Sequence, residues 1–136
     1  MLTDQEKYVI ALCAWKEAEG EGIAGCVEVM HVILNRSREW NQTVNQVIYR
    51  KNQFSWTSPS SPRYATVPKD SDPVWLACLA DVEELETADD PTEGATFYWN
   101  PKTETSPWFE KHIAGSPEFE ISARSVHHVF YRKVQQ

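Results

Sequence analysis

The sequence predicts an α+β fold, mainly α, in a single domain over residues 1–136 with one small antiparallel β element. Three observations carry this. Apolar residues recur at helical spacing through residues 2–16, 22–37 and 73–86. Two short segments, 95–99 and 125–131, hold the aromatic and β-branched residues typical of strands. Nothing in the 136 residues reads as a linker, a repeat or a low-complexity arm, and the length suffices for one buried core without staples.

Helix one, over about 4–18, has Tyr8, Val9, Leu12, Cys13 and Trp15 to pack, and Gly20 and Gly22 then interrupt its pattern. Helix two, over about 22–37, carries a stripe of Ile23, Cys26, Val27, Met30, Ile33 and Leu34. Val29 and Val32 add a second apolar flank, so this helix is expected to be central and mostly buried, with Glu28 as its one unexplained acid. A short helix over 43–49 is capped by Thr43. Pro59, Pro62 and Pro68 make 57–71 an irregular loop. Asp72 as cap and Pro73 in the first turn start a helix running to about 86, with Val74, Leu76, Ala77, Ala80 and Leu85 to pack. Segments 95–99 and 125–131 pair as an antiparallel sheet closing one side of a cleft, and Pro107-Trp108 opens a helical turn between them.

Charge and motifs exclude several classes of function. A net charge of −7 argues against nucleic acid, whose binders present basic faces. No apolar run approaches the roughly 20 residues of a membrane span, and the polar opening predicts no signal peptide. Cys13, Cys26 and Cys78 are odd in number with no CxxC, so reduced core thiols are expected. The His residues form no HExxH: His31 falls on a helix, His112 in a loop, and His127 and His128 are adjacent in a predicted strand, pointing to opposite faces. No metal and no cofactor are expected, and no GxSxG elbow is present.

Glu17 and Glu21 stand four residues apart around a glycine break. Glu17 falls in the last helical turn, where unpaired carbonyls repel negative charge, and Trp15 with the aromatic clusters 54–56 and 97–99 could wall it. Such a carboxyl has its pKa raised and can donate a proton to a glycosidic oxygen. A second carboxylate would have to stand about 5 Å away for retention or about 6.5–9.5 Å across the sugar for inversion. Two side chains leaving one short segment seldom flank both faces of a sugar, so Glu21 reads as an orienting or capping carboxylate in the substrate site. Six Trp and five Tyr exceed the needs of a core of this size. Trp56, Tyr98 and Trp99, flanked by hydrogen-bonding Gln53, Ser55 and Asn100, read as sugar-stacking cleft residues; Phe54, Phe97 and Phe130 read as core.

Four ordered blocks also carry a resemblance. Glu17-Ala18-x-Gly20-Glu21 with Gly25-x-Val27-x-Val29-x-x-Val32-Ile33-Leu34-Asn35-Arg36, then Gln53-Phe54-Ser55-Trp56-Thr57, Gly94-Ala95-Thr96-x-Tyr98-x-Asn100-Pro101 and His128-Val129-Phe130-Tyr131-Arg132 resemble the SleB-type cell wall hydrolases, the domain of spore cortex-lytic enzymes. The chain departs from that pattern at Glu19, where relatives carry Arg, at Cys26, where they carry Gln, and at Glu28, where they carry a small residue.

The resemblance implies a lysozyme-like domain that cleaves peptidoglycan glycan strands between N-acetylmuramic acid and N-acetylglucosamine. It puts the general acid on Glu17 and makes lytic transglycosylation the expected reaction. Hydrolysis by a muramidase and peptidoglycan binding without cleavage are the alternatives. Substrate contacts are expected from Glu21, Gln53, Ser55, Trp56, Tyr98 and Asn100, in a monomer. A leaderless catalytic domain of this kind resembles a phage endolysin, held in the host cytoplasm until a holin releases it.

Overall fold

Small side chains decide how the first helix packs. Helix α1, Asp4–Glu17, buries Ile10, Ala11, Cys13 and Ala14, whereas Tyr8, from the face the sequence suggested, is exposed and rests its ring edge on Trp75. Helix α2 spans Gly22–Trp40, α3 Val44–Ile48 and α4 Pro73–Glu84. The narrow face of α1 lets it lie against both α2 and α4; α2 also meets α4, and α3 sits on α1 and α2. The computed structural model describes residues 1–17, 22–51 and 53–135, and the chain divides into two units, Met1–Asp89 and Asp90–Gln136.

Local chemistry sets the ends of these helices. Gly22 opens α2 at φ +76°, a left-handed backbone that suits glycine. The helix runs three residues past its expected end, to Trp40; Asn41 then takes φ 51° and stops it, with Gln42 N–H returning to the Ser37 carbonyl at 3.1 Å. As expected, α2 is buried nearly all round, from Gly25 to Arg36, but Ile23 in the first turn is exposed. Thr43 caps α3 in a full capping box with Gln46. Asp72 caps α4 by accepting from Val74 N–H and Trp75 N–H. The core stripe of α4 is Trp75, Cys78, Val82 and Leu85; Leu76 and Ala80, expected to pack, are exposed on the opposite side. All three cysteines are free, buried thiols.

In the second unit, β1 is Phe97–Trp99, β2 Phe119–Arg124 and β3 Val129–Lys133, antiparallel in the order β1-β3-β2. The pairing of Tyr98 with Phe130 realises the expected sheet. β2 is an addition, and a register shift between Ile121 and Ala123 falls at Ser122, whose hydroxyl donates to the Thr92 carbonyl at 2.7 Å. His127 and His128 lie in the turn between β2 and β3 rather than in a strand. His112 lies in a π-helical stretch, Glu110–Ala114, that continues α5, Pro107–Phe109, and so is not in a loop. Trp99, Phe109, Ile113 and Tyr131 form the core of this unit, with Phe97, Phe119 and Val129 packed around them.

Candidate active site

Glu17 is the last residue of α1 and is half-buried. The residue before it, Lys16, is buried, and its Nζ donates to the carbonyls of Arg63 and Tyr64 at 2.7 and 3.0 Å. Those bonds tie the 57–71 loop to the end of the helix. Burial, aided by the Arg63 charge, holds the Lys16 ammonium below the usual lysine range. Burial also pushes the Cys13 thiol up; the Trp56 N–H opposes that shift and the Glu17 carboxylate adds to it.

Trp56 sits at the centre of this end of the unit. It belongs to a short 3₁₀ turn, Ser55–Thr57, which begins after Phe54 turns into the core. Its Nε1–H donates to Cys13 Sγ at 3.4 Å, and Lys16 Nζ stands 4.6 Å from the ring centroid. The indole is only 5 % exposed, so Trp56 does not offer an open face for stacking, and the expectation of a cleft platform is corrected. The cause is a pair of partners distant in the chain: its one polar atom finds the Cys13 sulfur and its ring the Lys16 cation. Ser55 beside it is exposed and Gln53 half-buried, while Glu21 lies outside the described residues.

Two tyrosines that the sequence did not single out take the exposed positions. Tyr49, 52 % exposed, sets its ring edge-on to Trp56 at 5.7 Å. Tyr64, 46 % exposed, belongs to the segment tied to Lys16. Burial raises the Tyr49 phenol, with Cys13 and Tyr64 adding to the shift. The signal available for Tyr49 was its place at the end of a fully capped short helix, where a side chain is held firmly at the surface.

The second unit carries the remaining predicted residues. Tyr98 is half-buried, its ring edge-on to His128 at 5.0 Å and tilted on Phe130 at 5.8 Å. Asn100 braces a turn: its Oδ1 accepts from Lys102 N–H at 3.0 Å, and its own N–H donates to Glu104 Oε2 at 2.6 Å. Trp99 is 8 % exposed, so its expected open stacking face is also absent. Two cavities flank this strand end, one of about 380 Å³ that includes Tyr98 and Trp99, and one of about 160 Å³ that includes Asn100, Lys102, Arg124 and His127. Among the described residues no group of three His, Cys, Asp or Glu could hold a metal ion, and no helix is long and apolar enough to cross a membrane.

Residues 20–131 match the sequence profile of the cell wall hydrolase family, a span that begins three positions after Glu17. A spore cortex-lytic enzyme of Halalkalibacterium halodurans is 33 % identical over 108 residues, covering 78 % of this chain and 30 % of that protein, so the chain spans about three-tenths of this relative. Two solved structures share the fold. The catalytic domain of the germination-specific lytic transglycosylase SleB from Bacillus anthracis has a TM-score of 0.72 at 24 % identity over 96 % of this chain and 97 % of that one. The SleB catalytic domain of Bacillus cereus has the same score and identity over 97 % and 93 %. The mainly helical architecture with a small antiparallel sheet is thus the lysozyme-like fold of SleB catalytic domains. By its motifs and its profile, this chain belongs to the cell wall hydrolase family.

Proposed function

We propose that this chain cleaves the bond between N-acetylmuramic acid and N-acetylglucosamine in peptidoglycan, as a lytic transglycosylase with Glu17 as its one acid and base. The observation that carries the reading is the position of Glu17: a half-buried carboxyl closing α1, where the negative end of the helix dipole disfavours the ionised form of a carboxyl. A carboxyl kept protonated there protonates the glycosidic oxygen as the bond breaks, and the N-acetylglucosamine side leaves as an alcohol. The resulting carboxylate takes the proton from the C6 hydroxyl of the muramic residue, whose oxygen closes on the anomeric carbon. The product is a 1,6-anhydro ring, and no water is consumed.

The names of the relatives support this reading, since one is a lytic transglycosylase and another a cortex-lytic enzyme. The matched family span takes in parts of both units, and we assign both to one catalytic domain. Digestion of purified peptidoglycan in H₂¹⁸O, followed by mass spectrometry, is the test. Anhydro-muramic ends without heavy oxygen are expected. Reducing muramic ends carrying ¹⁸O would make the enzyme a muramidase that hydrolyses through a water-activating base, and an absence of fragments would leave a binding protein.

A further inference from the structure

One end of the sheet in the second unit carries the cavity of about 160 Å³, whose lining includes Asn100, Lys102, Arg124, Ser125, His127 and His128. The turn after β1 forms one side of it and the turn joining β2 to β3 the other. Both turns are closed by their own hydrogen bonds. In the first, Asn100 Oδ1 accepts from Lys102 N–H at 3.0 Å. In the second, Ser125 N–H donates to the His128 carbonyl at 2.9 Å, and Ser125 Oγ accepts from His128 N–H at 3.2 Å. The His128 ring, edge-on to Tyr98, fastens this second turn to β1.

The charge of this lining is the reverse of the chain's. Asp and Glu outnumber Lys and Arg by 20 to 13 overall, yet two full cations and two imidazoles border the cavity and no carboxylate does. Lys102, Arg124 and His127 are exposed, and their side chains make no hydrogen bond or ion pair among the described residues. The backbone N–H groups of Val126 and His127, both residues of the lining, are also unbonded among the described residues. Lys and Arg only donate, and an imidazole donates in either protonation state, so a bound group must bring acceptors. A cation would be repelled by Lys102 and Arg124. The volume exceeds the roughly 30 Å³ of one water and falls short of the roughly 300 Å³ at which sites for whole small molecules begin, which suits one charged group rather than a sugar. We propose that this cavity receives an oxyanion of the wall polymer, a carboxylate or a phosphate, held by the Lys102 ammonium and the Arg124 guanidinium with the His127 imidazole as a further donor. The proposal rests on the glycan-cleaving reading. Stem peptides of peptidoglycan carry free carboxylates and phosphate-linked wall polymers carry phosphodiesters, so either source brings this chemistry. Cations at the contact act within the screening length of about 8 Å at physiological salt, inside which the chain's distant acids count for little.

The test titrates the full chain with three probes: a muramyl tripeptide with free carboxylates, the same peptide with its carboxylates converted to carboxamides, and a short glycerol-phosphate polymer. Nuclear magnetic resonance follows the backbone N–H signals of Val126 and His127 and the Nε–H signal of Arg124. A saturable shift is expected with an anionic probe and none with the carboxamide, and the tighter of the two anionic probes identifies the source of the oxyanion. Lys102→Gln combined with Arg124→Gln removes both charges from exposed positions, so affinity for that probe should fall about tenfold, the scale of two exposed ion pairs, at an unchanged melting temperature. Wild-type affinity should also weaken with added salt, and that of the double variant much less. No shift with either anion, an equal shift with the carboxamide, or undiminished affinity in the double variant would overturn the proposal. Fragment release from peptidoglycan by the wild type is read separately: release together with any of those outcomes sinks the oxyanion site alone, whereas a charge-selective shift without release upholds the site and sinks the proposed cleavage.

Discussion

Trp56 in the helical unit and Trp99 in the sheet unit are buried to nearly the same degree, 5 and 8 % exposed, yet their polar edges are treated oppositely. The Trp56 N–H is met by Cys13 and its ring by Lys16. The Trp99 N–H is met by nothing among the described residues, and the residue lines a cavity. Burial alone therefore does not tell whether an indole's hydrogen-bonding atom is satisfied; the groups packed around it do. Charge divides the same way. The helical unit has fourteen acidic and eight basic residues and the sheet unit six and five, so nearly all of the net −7 belongs to the helical unit. A near-neutral surface is less repelled by an anionic polymer than a strongly acidic one.

The largest effect should come from Trp56→Ala. Removing a buried indole typically costs about 3–5 kcal/mol, and here the loss also strips Cys13 of its donor. Urea unfolding measures the loss, and all three thiols lie in the helical unit, so their reactivity in native buffer should rise with it. Trp99→Phe should leave both nearly unchanged because the stack on Phe109 survives. A stable Trp56→Ala protein with weakened glycan binding would return Trp56 to the cleft and break the contrast.

Next in size is Glu17→Gln. It keeps the shape of the side chain and removes the proton donor, so peptidoglycan lysis should fall by at least about 10², as expected for lost general acid catalysis, with an unchanged melting temperature. Glu21→Gln should cost less. The loss should fall on kcat and leave KM nearly unchanged. If Glu21→Gln proves the more damaging change in a folded protein, the acid has been assigned to the wrong carboxyl.

What could be read from the sequence follows from how local each determinant is. Asp72 and Pro73, the Thr43 box and Gly22 act within one turn of chain, and the helix starts fell where these residues put them. The pairing of β1 with β3 was legible from aromatic and β-branched content, whereas β2 dilutes that content, its Phe119 and Ile121 alternating with Glu120 and Ser122 before Ala123 and Arg124, and pairs along the edge that β3 offers. Faces were harder. Leu76 was expected in the core and Trp75 was not considered, because which side of α4 is covered depends on α1 and α2. The position of Glu17 at the end of α1 was legible; the burial of Trp56 was not, since its partner Cys13 lies 43 residues away in the chain.

If Trp56 is structural, sugar contact in the helical unit falls to the exposed tyrosines beside it. Tyr49→Ala and Tyr64→Ala should each weaken glycan binding by about 0.5–1.5 kcal/mol, the scale of one aromatic contact, measured by calorimetry with a soluble oligosaccharide. Stability should barely move for Tyr64. Unchanged binding in both variants would leave the helical unit with chemistry and no grip.

The smallest effect concerns Trp15, whose indole N–H is met by Asp72 Oδ2 at 3.2 Å while Oδ1 caps α4. Asp72→Asn keeps a good cap but has one acceptor oxygen, so Trp15 would become an unmet indole like Trp99. The hydrogen bond from Trp75 N–H, followed by those from Trp15 and Val74, holds the Asp72 carboxyl below its ordinary value. A carboxylate depressed in the folded state contributes stability that is fully present above the unfolded value near 3.8 and is lost as pH falls through the folded value. Asp72→Asn should therefore melt lower than wild type at pH 7, and the gap should close in acid, where the protonated wild-type carboxyl also has a single good acceptor. Half-burial of Trp15 lets water soften the loss, which keeps the gap to a few degrees or less. A gap that persists unchanged below the folded pKa would mean that the amide harms the cap itself, and that the Trp15 bond carries none of the difference.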